Sequence, residues 1–219
     1  MELEPVAYFH SPLGGKFGTP RQSGVAASLK GEVRLVPPFN QAEALRGLEG
    51  FDYIWLVWQF HLNHVEADPG HLTVRPPRLG GNTRLGVFAT RSPYRPNPLG
   101  LSSVRVESVD PDKGIIHVLG ADLVDGTPIF DIKPYIPYTD SHPAARGGFT
   151  DSSEWKKIEV AISDDLVSRL DPEDVKALEE ILSEDPRPRY QDDPERVYGL
   201  TFKGMDLHFT VHSGVLHLK

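Results

Sequence analysis

Three polar segments hold the residues whose types and spacing could do chemistry. The first, Gly18-Thr-Pro-Arg-Gln-Ser-Gly24, is rich in turn formers and offers backbone N–H groups, Arg21 and the Gln22 amide to a ligand. The second, Gly86-Val-Phe-Ala-Thr-Arg-Ser-Pro-Tyr-Arg-Pro-Asn-Pro-Leu-Gly100, is stiffened by prolines and glycines and carries Arg91, Arg95 and Asn97. A rigid polar loop with a guanidinium fork suits oriented recognition of a carboxylate or phosphate. The third, Asp122-Leu-Val-Asp-Gly-Thr-Pro-Ile-Phe-Asp-Ile-Lys-Pro-Tyr135, adds Asp122, Asp131 and Lys133, more charged groups than a bare turn needs. Each segment also has a plainer reading. They are, in turn, a surface loop, a turn held by Arg and Asn hydrogen bonds, and a hairpin turn at Asp125-Gly126-Thr127-Pro128.

Charge is segregated along the chain. The formal net charge is -8, with 23 Lys and Arg against 31 Asp and Glu, which speaks against non-specific nucleic-acid binding. From Pro69 to Val106, however, there is no acid, and Arg75, Arg78, Arg84, Arg91, Arg95 and Arg105 all fall inside. One local basic surface is therefore available to an anionic partner, with a modest salt dependence expected from the acidic remainder. Zero Cys excludes disulfides, thiolate metal sites and cysteine nucleophiles. His61 and His64 lack the further ligands of a zinc site, so no metal is expected. There is no Walker loop, no GxGxxG after a strand and no GxSxG elbow. The acidic N-terminus does not read as an export signal, and the apolar run Tyr53–Trp58 is far shorter than the ~20 residues of a membrane span. A cytoplasmic protein with no membrane partner is expected.

The elements that must position these loops read mainly as β. Short apolar runs recur at Pro5–His10, Val33–Val36, Phe51–His61, His71–Arg75, Leu85–Thr90, Leu101–Ser108, Gly114–Leu119, Ala121–Val124 and Pro128–Lys133, punctuated by Gly, Pro, Asn and Asp. That spacing predicts a sandwich or barrel. Trp55, Trp58 and Phe60 read mostly as core. Asn40 and Glu43 predict a capped short helix. Composition then shifts, with 15 acids against six Lys and Arg from Asp151 to Glu195. Leu166, Leu170, Val175, Leu178, Ile181 and Leu182 have helical spacing, with Asp171-Pro172 as a helix start. Three runs, Val197–Phe202, Asp206–Val211 and Val215–Leu218, predict a closing meander. The expected organisation is a β domain over 1–145 and a small α+β domain over 146–219.

The motifs Pro20-Arg-Gln-Ser-Gly24, Leu45–Phe51 leading to Phe60-His61, Thr73–Asn82, Gly86–Ser92 through Arg95–Gly100, and Asp122–Pro128 together resemble the signature of the TsaA-like/TrmO family of S-adenosylmethionine-dependent tRNA methyltransferases. Glu184–Tyr190 resembles a stretch of the small C-terminal domain of bacterial members. The resemblance implies a single-sheet antiparallel β-barrel, unlike the usual Rossmann methyltransferase, and a homodimer. It also implies S-adenosyl-L-methionine as cofactor and N6-methylation of threonylcarbamoyladenosine at position 37, in the tRNA anticodon loop. Carried onto this chain, it implies cofactor contacts from Gln22, Ser23, Gly24, His61, Leu62, Arg91, Leu101, Asp125, Gly126, Thr127 and Pro128, with Arg91 as a carboxylate clamp. Arg95, supported by Asn97, is expected to meet the acceptor's threonine carboxylate or an adjoining phosphate. Asp131, Asp122 and His61 are the candidate bases. Ser23 stands where Pro is common in the family, and Leu62 where Gln is, so a contact at Leu62 is backbone or apolar. Two rivals stand beside this reading: a non-catalytic dimeric binding protein, and a methyltransferase acting on another RNA base or a small metabolite. Convergence of the five motifs on one pocket discriminates against the first.

Overall fold

Along β3 (Tyr53–Gln59), Ile54, Leu56 and Trp58 alternate with Tyr53, Trp55, Val57 and Gln59, and only the first set is buried. A period of two with one covered face is the signature of a sheet lining a core. The computed structural model describes residues 2–63, 72–76, 83–152, 156–187 and 193–219. In it β1 (Ala7–His10), β2 (Lys30–Leu35), β3, β6 (Leu99–Asp110), β7 (Ile115–Leu119) and β8 (Pro128–Pro134) close into one barrel in the order β1-β2-β7-β6-β3-β8. Every pairing in it is antiparallel. Of the two architectures left open by strand spacing, the chain adopts the barrel. Phe9, Val33, Ile54, Leu56, Val104, Ile116, Val118 and Ile129 fill its interior. Each such side chain contributes ~1.5–3 kcal/mol by leaving water.

Gly100 is what admits the largest of these groups. It faces Trp58 across the β3–β6 ladder, and a Cβ there would lie 2.2 Å from the indole Cε2. The indole thus packs flat over bare backbone, and its Nε1–H donates to Ser102 Oγ at 2.9 Å.

Four local expectations are corrected. Leu85–Thr90 is not one strand: β5 (Leu85–Gly86) pairs only with β4 (Thr73–Val74), and Val87–Ala89 turns as a 3-10 helix. The Thr90 hydroxyl donates back to Val87 O at 2.8 Å, which stabilises the turn locally. Ala121–Val124 is irregular backbone, although Ala121 and Leu123 are buried. The Asn40 cap does not form. Helix α1 (Ala42–Leu45) starts after Gln41 with no side-chain cap, and Asn40 packs beside Gly114. Finally, the C-terminal meander of β10 (Tyr198–Phe202), β11 (Met205–His212) and β12 (Val215–Leu218) gains a fourth strand, β9 (Glu159–Ile162), parallel to β12.

After α2 (Pro137–Asp140), helices α3 (Asp164–Arg169) and α4 (Pro172–Ser183) supply the helical part of the second layer. Pro172 occupies the first turn of α4 after Asp171, as its sequence predicts, and Leu178, Ile181 and Leu182 are buried against the second sheet. This second core also takes in Leu13, Ala26 and Leu29, residues of the connection between β1 and β2.

Candidate active site

Three connections leave the same end of the barrel: 11–29 from β1 to β2, 60–98 from β3 to β6, and 120–127 from β7 to β8. Described residues of all three, with residues of β3 and β6 and Phe149, line a cleft of about 1410 Å³. Its walls include Pro20–Gln22, Phe60–Asn63, Leu72–Pro76, Thr90–Pro96, and Asp122, Val124 and Thr127, so parts of all five motif regions meet on it. Residues 77–82 of the third motif, His64, His71, Arg78 and the 188–190 part of the C-terminal stretch lie outside the described residues.

The cleft is electropositive. Lys16, Arg21, Arg75, Arg84, Arg91 and Arg95 line it, and among the described lining residues Asp122 is the one carboxylate. Arg91 Nη1 donates to Gln22 Oε1 at 2.6 Å, which ties the first loop to the second. Arg95 Nη1 donates to Thr90 O at 3.2 Å, and Lys16 Nζ donates to Leu62 O. A guanidinium has five donors, so both arginines retain N–H groups for an anion.

Asp122 lies half-buried on the lining. The residue keeps some exposed surface, but its carboxyl group is enclosed, and that burial pushes its pKa above the ordinary 3.8. A hydrogen bond from Ser102, its own backbone N–H, the Arg91 charge and the Ser23 N–H all pull the other way. The Ser102 hydroxyl donates to Asp122 Oδ1 at 2.5 Å while accepting from Trp58 Nε1–H. This Trp58–Ser102–Asp122 relay fixes the orientation of the carboxylate. Ser102 and Lys16 did not stand out in the sequence, and Trp58 read only as core, because the relay members are 44 and 20 positions apart. His61 also lines the cleft; burial foremost lowers its pKa below 6.5, with the Lys16 charge adding to the effect.

The other sequence candidates fall into two groups. Gln22, His61, Leu62, Arg91, Arg95, Leu101 and Thr127 are on the lining. Ser23, Gly24, Asn97, Asp125, Gly126, Pro128 and Asp131 are not. Gly24, at φ +79°, donates its N–H to Gly120 O at 2.8 Å and so shapes the first loop. Asp125 Oδ1 accepts from Ser11 N–H at 3.0 Å, and Gly126 N–H donates to Phe9 O at 2.8 Å, so the 125–128 turn is stitched to β1. Thr127 Oγ1 donates to Val124 O at 2.6 Å, and Pro128 opens β8. Asn97 is exposed, and Asp131 stands on β8 with Lys133 Nζ at 2.9 Å. Trp58 is core, as expected, yet both it and Trp55 also line the cleft.

Several apolar side chains of the lining are exposed, namely Leu62, Leu72, Tyr94, Leu99 and Leu101, as is Phe88 in the 3-10 turn that precedes Thr90. Among the described residues no cluster of three or more His, Asp or Glu could hold a metal ion, and no helix is long and apolar enough to cross a membrane.

Comparison with known proteins gives this geometry its context. Residues 8–141 match the tRNA-methyltransferase O N-terminal domain, and residues 156–218 match the TrmO C-terminal domain. The tRNA (adenine(37)-N6)-methyltransferase of Escherichia coli (strain K12) is 41% identical over 198 residues, covering 87% of this chain and 83% of that protein. The protein of the same name from Eikenella corrodens is 42% identical over 167 residues, 75% of this chain and 93% of that one. The crystal structure of TrmO from Pseudomonas aeruginosa superposes with a TM-score of 0.80 at 33% identity, covering 100% of this chain and 96% of that one. With both halves matched, and relatives this similar along most of its length, the chain belongs to the tRNA-methyltransferase O family.

Proposed function

We propose that this protein is an S-adenosylmethionine-dependent methyltransferase that methylates N6 of adenine 37 in tRNA, and that its acceptor carries the threonylcarbamoyl group. The observation that carries the reading is the convergence of five motif regions on one cleft, whose volume of about 1410 Å³ exceeds the ~300–1,000 Å³ of an ordinary ligand pocket. That leaves room for a methyl donor and a nucleobase together. Names of relatives such as that of the Escherichia coli protein support the same activity.

The donor set fits the cofactor. A sulfonium favours oxygen or aromatic faces, which Asp122, Trp58 and Phe60 offer, and a methionyl carboxylate needs cations, which Arg91, Arg21 and Lys16 offer. S-adenosylmethionine supplies the activated methyl group when bound. The chain's own task is alignment, and fixing two reactants in line is worth up to ~7–11 kcal/mol. Gln22 holds Arg91 in place as the carboxylate clamp. His61, Leu62 and Leu101, with the Ser23–Gly24 and Asp125–Pro128 backbone behind them, form the donor wall. The acceptor N6 has a lone pair delocalised into the carbamoyl group, so its proton must leave as the N–C bond forms. Asp122, held by Ser102, is the base we assign to that proton, in preference to Asp131, which stands off the lining. Arg95 meets the threonine carboxylate or an adjoining phosphate, with Asn97 supporting its loop.

The protein is further read as a cytoplasmic homodimer. The exposed apolar side chains of Leu62, Leu72, Phe88, Tyr94, Leu99 and Leu101 support a second copy packing against them. Incubation with labelled S-adenosylmethionine and tRNA, with or without the threonylcarbamoyl group, tests the activity by nucleoside mass spectrometry. Transfer to modified tRNA alone is expected. Transfer to neither overturns the reading, and equal transfer to both overturns the substrate.

A further inference from the structure

The connection 11–29 forms one wall of the cleft, yet it contains no helix or strand. An irregular segment of that length needs a template to hold its ligand-facing groups in place. Much of that template is the C-terminal unit. Leu13 bridges to Phe202, Gly14 N–H donates to Thr201 O at 3.1 Å, and Lys203 N–H donates to Pro12 O at 2.7 Å. Phe17 stacks on Tyr198 and Phe209, with ring centroids 6.2 and 6.1 Å away. At the far end Ala26 and Leu29 are buried in the second core. There Ser28 N–H and Oγ donate to the two carboxylate oxygens of Glu180, on α4, at 2.7 and 3.0 Å. Between these anchors Lys16, Arg21 and Gln22 face the cleft, and Gln22 holds Arg91.

We propose that the C-terminal unit is a two-point clamp that sets the donor-binding wall, and that Glu180 is its positioning residue, acting through Ser28 on Gln22 and thence on Arg91. Affinity for the donor is thereby set in part from outside the barrel. The proposal rests on the reading of the cleft as a donor site. Carboxylate hydrogen bonds are among the stronger ones, and this bidentate pair restrains a backbone N–H and a hydroxyl at once. A mere weld between the two units would affect stability and leave affinity alone.

The test is the Kd for S-adenosylhomocysteine, by calorimetry on the full chain well below its melting temperature, alongside kcat at saturating donor. Glu180→Ala is expected to weaken binding about tenfold with kcat unchanged. Glu180→Gln, which keeps one acceptor, restores part of the loss. Glu179→Ala, exposed on the same helix, matches the unaltered protein. Ser28→Ala, which removes only the Oγ contact, is the milder perturbation should Glu180→Ala fail to fold, and weakens binding about threefold. In a Gln22→Ala background Glu180→Ala adds nothing. A lower melting temperature with an unchanged Kd overturns the clamp, as does an additive loss in the double variant. Failure of the unaltered protein to bind S-adenosylhomocysteine is a separate outcome, which removes the donor-site reading and the proposal with it.

Discussion

Asp122→Asn removes the cleft's carboxylate while keeping its shape and an oxygen that accepts from Ser102. Loss of a general base lowers the chemical rate by about 10²–10⁴, which is roughly 2.7–5.4 kcal/mol of barrier. Burial holds the Asp122 pKa above 3.8, so the acidic limb of kcat/KM in the unaltered protein is displaced upward from the ordinary carboxylate value. Stability runs the opposite way to activity. A folded-state pKa raised above the unfolded one stabilises fully below the unfolded value, and that contribution is lost as pH rises through the folded value. Asp122→Asn therefore melts higher than the unaltered protein at neutral and alkaline pH, and the difference narrows as pH falls toward the ordinary carboxylate range. Single-turnover methyl transfer to modified tRNA across pH, with thermal melts in the same buffers, measures both. Retention of more than about a tenth of the rate with the limb in place refutes Asp122 as base. If His61→Asn removes the limb instead, the proton goes to His61.

Four further outcomes are expected. Arg91→Ala is expected to raise the donor KM about 10–100-fold, and Arg91→Lys to recover little, because Lys lacks the planar fork needed to keep the Gln22 bond and take the proposed donor carboxylate at once. Arg95→Ala lowers kcat/KM for modified tRNA with donor binding intact; unchanged kinetics refute its role at the acceptor. Gly100→Ala forces a Cβ to 2.2 Å from the Trp58 ring, for a cost of about 1–3 kcal/mol that calorimetric melting reads as a lower Tm. Leu101→Asp, at a side chain 58% exposed, is expected to shift the proposed dimer to a monomer in sedimentation, and an unaltered protein that already sediments as a monomer refutes the dimer.

The barrel was legible wherever one face of a strand is covered, as at Ile54, Leu56 and Trp58, since burial then imposes alternation. Strand β9 was not, because a four-residue parallel strand is defined by its partner β12 rather than by its own pattern. Ala121–Val124 misled for the opposite reason: its apolar residues are buried from irregular backbone. At the site, the motif loops were visible in the sequence, and resemblance gave them roles. The Trp58–Ser102–Asp122 relay depends on β6 lying beside β3 and on the β7–β8 connection reaching back to the barrel end, which no local pattern encodes.

The bridge from Leu13 to Phe202 has a bearing on solubility as well. A closed barrel has no free edge, whereas the second sheet, in the order β10-β11-β12-β9, ends on β10, and Pro12–Gly14 of the 11–29 connection pair with the end of that strand. Unpaired strand edges are templates for intermolecular β-pairing. Peeling the connection away would therefore bare a row of backbone groups at Thr201 and Lys203, so selection against aggregation and selection for a well-formed cleft act on the same stretch of chain.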